Sequence, residues 1–409
     1  MARVLLIAPT CDGTDVGEAW VAYRWAKGLA ERHDVTLLTY CKRDRTPAAA
    51  QLRGTTGVRV VEWREPPLLG RAERLNSIAK PAYLPFYLRA RRWIRGAQRR
   101  GEVFDVAHQP VPVATRYPCP ATGLGIPVIV GPVGGGLADP PGFADDAATD
   151  PWYMRLRALD AARLRHDPWL RRTYEQASLV VGIAPYVRER LSDLRLHDYA
   201  DMAETALESL PGPGWGAPSP DPARTGALRL LFVGRLVRTK GPRHAIRALA
   251  LVTDRATTLE IVGDGPDRAA CEAEVVRLGL EGRVTFRGTL PHAEVEERYR
   301  AADVFVFPSY REPGGNVVFE AMGFGLPLVV TDRGGPAAVV DDSCGYRVPV
   351  SDAAALAREV AAAIDLLAAD PRRRRAMGRA ARDRVATVGL WSSKIAQMGA
   401  WYAKVGEQA

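Results

Sequence analysis

Pro308 to Val340, PSYREPGGNVVFEAMGFGLPLVVTDRGGPAAVV, is the stretch that decides how the chain is read. The apolar run Val304–Phe307 leads into it and has the signature of a buried strand. Pro308-Ser309 breaks the run. Glu312-Pro313-Gly314-Gly315-Asn316 follows as a turn without bulky side chains. Val317 to Phe324 then reads as a helix, closed by Gly325 and Pro327. A second apolar strand, Leu328 to Thr331, opens into a second glycine turn, Asp332 to Pro336. The order is strand, glycine turn, helix, strand, glycine turn.

A glycine turn feeding a helix leaves backbone N–H groups pointing outward at the positive end of the helix dipole, which suits a phosphate. Glu312 stands just before the turn. Glu320 stands on the helix about two turns in, roughly 8 Å from its start. A carboxylate accepts hydrogen bonds from paired hydroxyls, so each can hold a sugar ring on one side of a diphosphate. The ligand that fits is sugar, diphosphate and ribose.

Residues 1–40 repeat the strand–turn–helix–strand order, with Gly13 and Gly17 in the ligand-loop position of a Rossmann-like unit, though without a GxGxxG fingerprint. Further strands are expected at Val58–Trp63, Phe104–His108, Ile126–Val130 and Ser178–Ile183. The third of these four, Ile126–Val130, opens into Gly131-Pro-Val-Gly134-Gly135-Gly136, where backbone can approach a ligand closely. Residues 211–226 hold five prolines and four glycines and read as a linker. After it come the strand Leu228–Val233 and the loop Gly234-Arg235-Leu-Val-Arg-Thr-Lys240-Gly241. Lys240 is one of six lysines in a chain with 56 Lys and Arg, so a compact ammonium is wanted there. Strand-to-loop corners are expected at Gly263-Asp264-Gly265 and at Arg287-Gly288, on the carboxyl side of a parallel sheet.

Taken together, REPGGNVVFEAMGFGLPLVVTDRGG with Glu312 and Glu320 resembles the Glu-x7-Glu motif of retaining glycosyltransferases of the GT-B fold, family 4. The resemblance is strong over about 228–350 and looser before. It implies an α/β protein with two Rossmann-like domains facing across a cleft. The boundaries expected are an acceptor-binding domain at 1–210, the linker 211–226, a nucleotide-sugar domain at 227–388, and a terminal helix at 389–409 packing back on the first domain. It implies Arg235 and Lys240 on the diphosphate, Glu312 and His108 beside the transferred sugar, and Gly13, Gly17, Gly263, Asp264, Arg287, Gly288, Gly314, Gly315, Asn316 and Glu320 around the donor. Gly134, Gly135 and Gly136 would lie on the acceptor side.

The activity so implied is hexosyl transfer with retention, from a UDP-sugar by preference, to a hydroxyl of a small molecule such as an aminocyclitol. No Asp-x-Asp occurs in the chain, so no metal or other cofactor is expected; Arg235, Lys240 and the helix at Gly314 would carry the charge. A lipid or cell-wall glycan acceptor at a membrane surface is the alternative, because Tyr83–Arg100 mixes aromatics with six arginines. The other reading of that segment is a domain helix with one solvated face. A sugar-nucleotide epimerase or a non-catalytic sugar-nucleotide binder of the same fold is the second alternative.

A chain of 409 residues exceeds one usual core. Five scattered cysteines without CxxC read as reduced thiols of a cytoplasmic protein, with contact at the inner membrane face left open. No run of 18 apolar residues occurs. The net charge of +9 comes with an alanine–arginine bias that fits a GC-rich genome, and no helix-turn-helix, finger or RNP pattern accompanies it, so nucleic acid is not an expected partner. Asp370-Pro-Arg-Arg-Arg-Arg375 reads as a solvated helix start.

Overall fold

The computed structural model describes the chain except residues 16, 44, 67–81, 144–157, 213–226 and 408–409. It forms two compact units. The first comprises Met1–Gly136, Trp152–Thr205 and Trp391–Ala409; the second comprises Leu137–Pro151 and Ala206–Leu390. The chain therefore changes unit at Thr205/Ala206, short of the Pro/Gly-rich run, of which 213–226 lies outside the described residues. Leu137–Pro151, expected in the first domain, belongs to the second unit.

The first unit is built on a parallel sheet: β1 (Arg3–Thr10), β2 (Asp34–Cys41), β3 (Val58–Arg64), β4 (Val106–Gln109), β5 (Val128–Val133), β6 (Leu179–Gly182) and β7 (Tyr199–Asp201). Their order is β3-β2-β1-β4-β5-β6-β7. Val4 to Ala8 are wholly buried, which is why β1 is a continuous apolar run: helices cover both faces of a parallel sheet. Parallel neighbours need a crossover, and the helix Glu18–Ala30 supplies the first, burying Val21, Ala22, Trp25 and Leu29.

The arginine-rich segment is the helix Tyr83–Arg99, with Tyr83, Phe86, Tyr87, Ala90, Ile94 and Ala97 buried. Its aromatics are core, and Arg91 donates to the carbonyls of Pro120 and Thr122 at 2.9 and 2.8 Å. Leu84 and Leu88 are exposed on its other side. The terminal helix Trp391–Glu407 lies in this unit, where Trp391 packs edge-on against Trp20 and Trp25.

The second unit repeats the plan with β8 (Arg229–Val233), β9 (Thr258–Val262), β10 (Val284–Gly288), β11 (Val304–Phe307), β12 (Leu328–Thr331) and β13 (Gly345–Val348). The order β10-β9-β8-β11-β12-β13 is again all parallel. Strand order reverses between β8 and β11, and ligands of such sheets bind beyond the carboxyl ends at that reversal. Asp352 and Asp370 cap the helices Ala353–Ala369 and Pro371–Val388; Asp370 accepts from the Arg373 N–H at 2.9 Å, so the arginine run is a helix start. No helix among the described residues is long and apolar enough to cross a membrane.

Candidate active site

The loops after β8 and β11 leave neighbouring strands at the reversal, and the backbone stitches them together. The Thr239 carbonyl accepts from the Tyr310 N–H at 3.1 Å and from the Ser309 hydroxyl at 2.9 Å. Gly241 has φ 77°, and a Cβ there would lie 2.2 Å from the Pro308 carbonyl oxygen. Only glycine allows this approach. Lys240, on the short 3₁₀ turn Arg238–Lys240, is thereby brought to the Glu312 carboxylate, and the two form an ion pair. Glu312 is 8% exposed. Arg235 leaves the same loop exposed.

The two glycine turns of the opening stretch pack backbone on backbone. The Gly335 N–H donates to the Glu312 carbonyl at 2.9 Å. A Cβ on Gly335 would stand 2.0 Å from the Gly314 oxygen, and one on Gly334 would stand 2.1 Å from the Glu312 oxygen. Gly315, at φ 98°, precedes the helix Asn316–Gly323 and has no side chain with which to cap it. The positive end of the helix dipole thus lies next to the Glu312 side chain, whose Cγ would stand 3.5 Å from a Cβ on Gly315, while the Val318 N–H donates to the Gly315 carbonyl at 2.9 Å.

Because the helix starts at Asn316, Glu320 is four residues in, one turn or about 6 Å, rather than two turns. Its Oε2 accepts from the Tyr299 hydroxyl at 2.9 Å. Burial raises the Glu320 pKa, and that hydrogen bond opposes the shift. Tyr299, on the helix His292–Ala301, carried no sequence signal for this role.

Gly263, Gly288 and Gly234 meet where β9, β10 and β8 end. The Gly263 N–H donates to the Gly288 carbonyl at 2.7 Å, and a Cβ on Gly263 would stand 2.0 Å from the Gly234 oxygen. Around a Cβ at Gly288 there is open space. Arg287 is exposed and paired with Glu260 at 2.9 Å. The Asp264 carbonyl accepts from the Leu236 N–H at 2.9 Å, tying this corner to the Arg235 loop. The expected donor-side residues of the second unit therefore stand at the end of β10 (Arg287, Gly288), on the loops after β9 and β11 (Gly263, Asp264, Gly314, Gly315) and on the helix Asn316–Gly323 (Asn316, Glu320).

In the first unit the loops after β1, β4 and β5 are linked in the same way. The Val113 carbonyl accepts from the Gly134 N–H at 2.6 Å, and the Glu18 carboxylate accepts from the Val113 N–H at 3.3 Å. The Gly13 N–H is already taken by Gln51 Oε1 at 2.7 Å, so in this structure it does not face outward as a phosphate donor. Gly17, at φ 71°, starts the helix Glu18–Ala30. The Gly135 N–H donates to the Tyr186 hydroxyl at 3.2 Å, and Arg190 donates to the Gly136 carbonyl at 3.2 Å.

His108 departs from expectation. It is wholly buried in β4. Gly131 O, an acceptor, lies 2.7 Å from Nε2, and the Tyr402 hydroxyl lies 2.6 Å from Nδ1. A neutral ring with its proton on Nε2 satisfies both. Burial pushes its pKa down to about 4. With no ring nitrogen left for a ligand, His108 is a core histidine rather than a group at a sugar.

Two Rossmann-like parallel-sheet units in one chain are the architecture of the GT-B glycosyltransferases. Family models agree: "Glycosyl transferase 4-like domain" matches residues 16–199 and "Glycosyl transferases group 1" matches residues 220–384. The chain belongs to this family, the group 1, family-4 type of GT-B glycosyltransferase. The 2-deoxystreptamine glucosyltransferase of Streptomyces kanamyceticus is 35% identical over 190 residues, 46% of either chain. The chain spans just under half the length of the curated relatives it matches first. Among solved structures, sucrose-phosphate synthase from Thermosynechococcus elongatus matches with a TM-score of 0.62 at 21% identity, covering 100% of both chains. HepE of Anabaena, solved in complex with UDP, matches at 0.62 and 18%, covering 99% of this chain and 100% of its own. At such identity the likeness is one of fold.

Proposed function

We propose that the protein is a retaining glycosyltransferase that moves a hexose from a nucleoside diphosphate sugar, a UDP-sugar by preference, to a hydroxyl of a small-molecule acceptor. The observation that carries this reading is the convergence at Glu312: an ion-paired lysine, an uncapped helix start and backbone-packed glycines at the strand reversal of the second unit. A diphosphate seated at Asn316 would take Lys240 as counter-ion, with Arg235 close by on the same loop. Glu312 would then be free to face the sugar, and Glu320 the ribose. Lysine, arginine and helix dipole together offset the charge that develops on the leaving diphosphate, so the reaction needs no divalent metal. The sequence offers no carboxylate assigned as a nucleophile below the sugar C1, which favours attack on the face from which the phosphate leaves over a two-step covalent route.

An aminocyclitol-like acceptor is favoured by the Streptomyces kanamyceticus relative, whose name specifies 2-deoxystreptamine. Residues 1–210 would supply the acceptor side and 227–388 the donor side, in the cytoplasm. The buried aromatics of Tyr83–Arg99 weigh toward a soluble acceptor over a membrane-bound one.

The test is a thermal-shift screen of UDP-, GDP- and dTDP-sugars, followed by acceptor trials with the best donor in magnesium and in excess EDTA. Product formed with retained anomeric configuration and equal rates in both buffers is expected. A new sugar nucleotide formed without acceptor would make it an epimerase. Activity lost in EDTA and restored by one metal would reject the metal-free reading.

A further inference from the structure

Leaving Gly136 of the first unit, the chain enters the second and lies along the Glu312 loop. Phe143, 2% exposed, stacks on the wholly buried Tyr310 with ring centroids 4.3 Å apart, and His244 packs edge-on against both rings. Asp139 pairs with Arg311 at 2.8 Å, and both side chains are largely shielded, at 14% and 19% exposure. Arg333, beside the second glycine turn, donates to the Ala138 carbonyl at 2.7 Å. Leu137 Cδ2 would lie 2.9 Å from a Cβ on Gly334. At the far end Gly142 bridges to Asp352, where a Cβ would stand 2.0 Å from the Ser351 oxygen.

Thus the two residues immediately before Glu312 are each gripped by this segment, Tyr310 through its ring and Arg311 through its charge. The turn that packs on the Glu312 carbonyl is held by it as well. A charge pair shielded from water is stronger and more sensitive to geometry than a surface pair.

We propose that Asp139 and Phe143 are positioning residues for Glu312: Leu137–Phe143 is a brace, clamped across Tyr310-Arg311 and Arg333, that fixes where the Glu312 carboxylate stands relative to the helix start. The proposal rests on the transferase reading only for its kinetic consequence, not for the brace itself. A carboxylate whose contact strengthens as the glycosidic bond breaks must be held to within a fraction of an ångström, and a misplacement of about 1 Å can cost about 100-fold in rate.

The experiment compares the wild type, Asp139→Asn, and the charge-exchanged pair Asp139→Arg with Arg311→Asp. Hydrogen exchange by mass spectrometry follows 308–316, with 228–233 in β8 as the internal control. Steady-state kinetics and calorimetric titration with UDP run beside it. In Asp139→Asn, exchange over 310–316 is expected to rise about tenfold while β8 is unchanged, since a local opening is freed without global unfolding. The kcat should fall about 10- to 100-fold with UDP affinity within about twofold. The exchanged pair should recover much of both. Unchanged exchange over 310–316, an equal rise in β8, or no recovery in the exchanged pair would overturn the brace. Phe143→Leu, which keeps an apolar plug without the stacked ring, should reproduce the exchange signature independently. A wild type that transfers no sugar would reject the transferase reading and leave the exchange data to decide on the brace.

Discussion

Lys240 and Glu312, 72 residues apart, form an ion pair at the carboxyl edge of the second unit's sheet. The Glu312 side chain is 10% exposed and the Lys240 side chain 27%. Their meeting follows from topology: β8 and β11 are neighbours across the strand-order reversal, and each loop contributes one charge. On the proposed reading, a donor diphosphate would compete with Glu312 for the same ammonium.

Lys240→Ala should weaken nucleoside diphosphate binding by about 1.5–3 kcal/mol, the worth of a hydrogen bond to a charged group. It should also lower thermal stability, because Glu312 is left shielded and unpaired. Calorimetry on UDP and a melting curve check both. Unchanged affinity would remove Lys240 from the donor site.

His108 and Tyr402 make a different forecast. Tyr402→Phe takes away the hydroxyl that serves His108 Nδ1, leaving a buried acceptor unsatisfied at a cost of about 1–3 kcal/mol. The loss should appear in the denaturation midpoint, with kcat unaltered at temperatures where the variant is folded. A reduced kcat at unchanged stability would return His108 to the active site.

The fold was largely readable in the chain, and the reasons are local. β1, β8, β11 and β12 are apolar runs bounded by Gly or Pro, the pattern that burial on both faces demands. β7 and β13 were not foreseen: Tyr199–Asp201 and Gly345–Val348 are three and four residues long, at sheet edges, and carry no apolar run. Lys240 and Glu312 stood out individually by scarcity and by motif, but their pairing needed the strand order. Tyr299 beneath Glu320 and Asp139 against Arg311 were invisible, because neither partner is near in sequence nor unusual in type. His108 misled because its strand-end position is also that of a core residue.

Lys394 allows a pH test. It is buried in the first unit, donating to the Ala203 and Thr205 carbonyls beneath the rings of Trp25 and Trp391. Burial pushes its pKa down to about 7, whereas an unfolded lysine titrates near 10.4. Between those values the unfolded chain binds the extra proton, so stability rises with pH. The contribution is full above the unfolded value and is lost as pH falls through about 7. Wild-type stability measured from pH 7 to 10 should therefore climb relative to Lys394→Met, by at most about 1.4 kcal/mol per pH unit. Parallel curves would show that the buried ammonium keeps an ordinary pKa.

The most direct test of the account is the division of labour between Glu312 and Glu320, measured by steady-state kinetics of Glu312→Gln and Glu320→Gln with calorimetric titration of UDP. Contacts to the ribose are equal in ground and transition state and set binding. Contacts to the reacting sugar can strengthen in the transition state and set turnover. Glu320→Gln should raise the donor KM and weaken UDP binding. Glu312→Gln should lower kcat and leave UDP binding intact or tighter, since Lys240 is released from its partner and UDP lacks the sugar. Loss of UDP binding in Glu312→Gln with full binding in Glu320→Gln would contradict the account, placing the donor the other way round across the helix Asn316–Gly323.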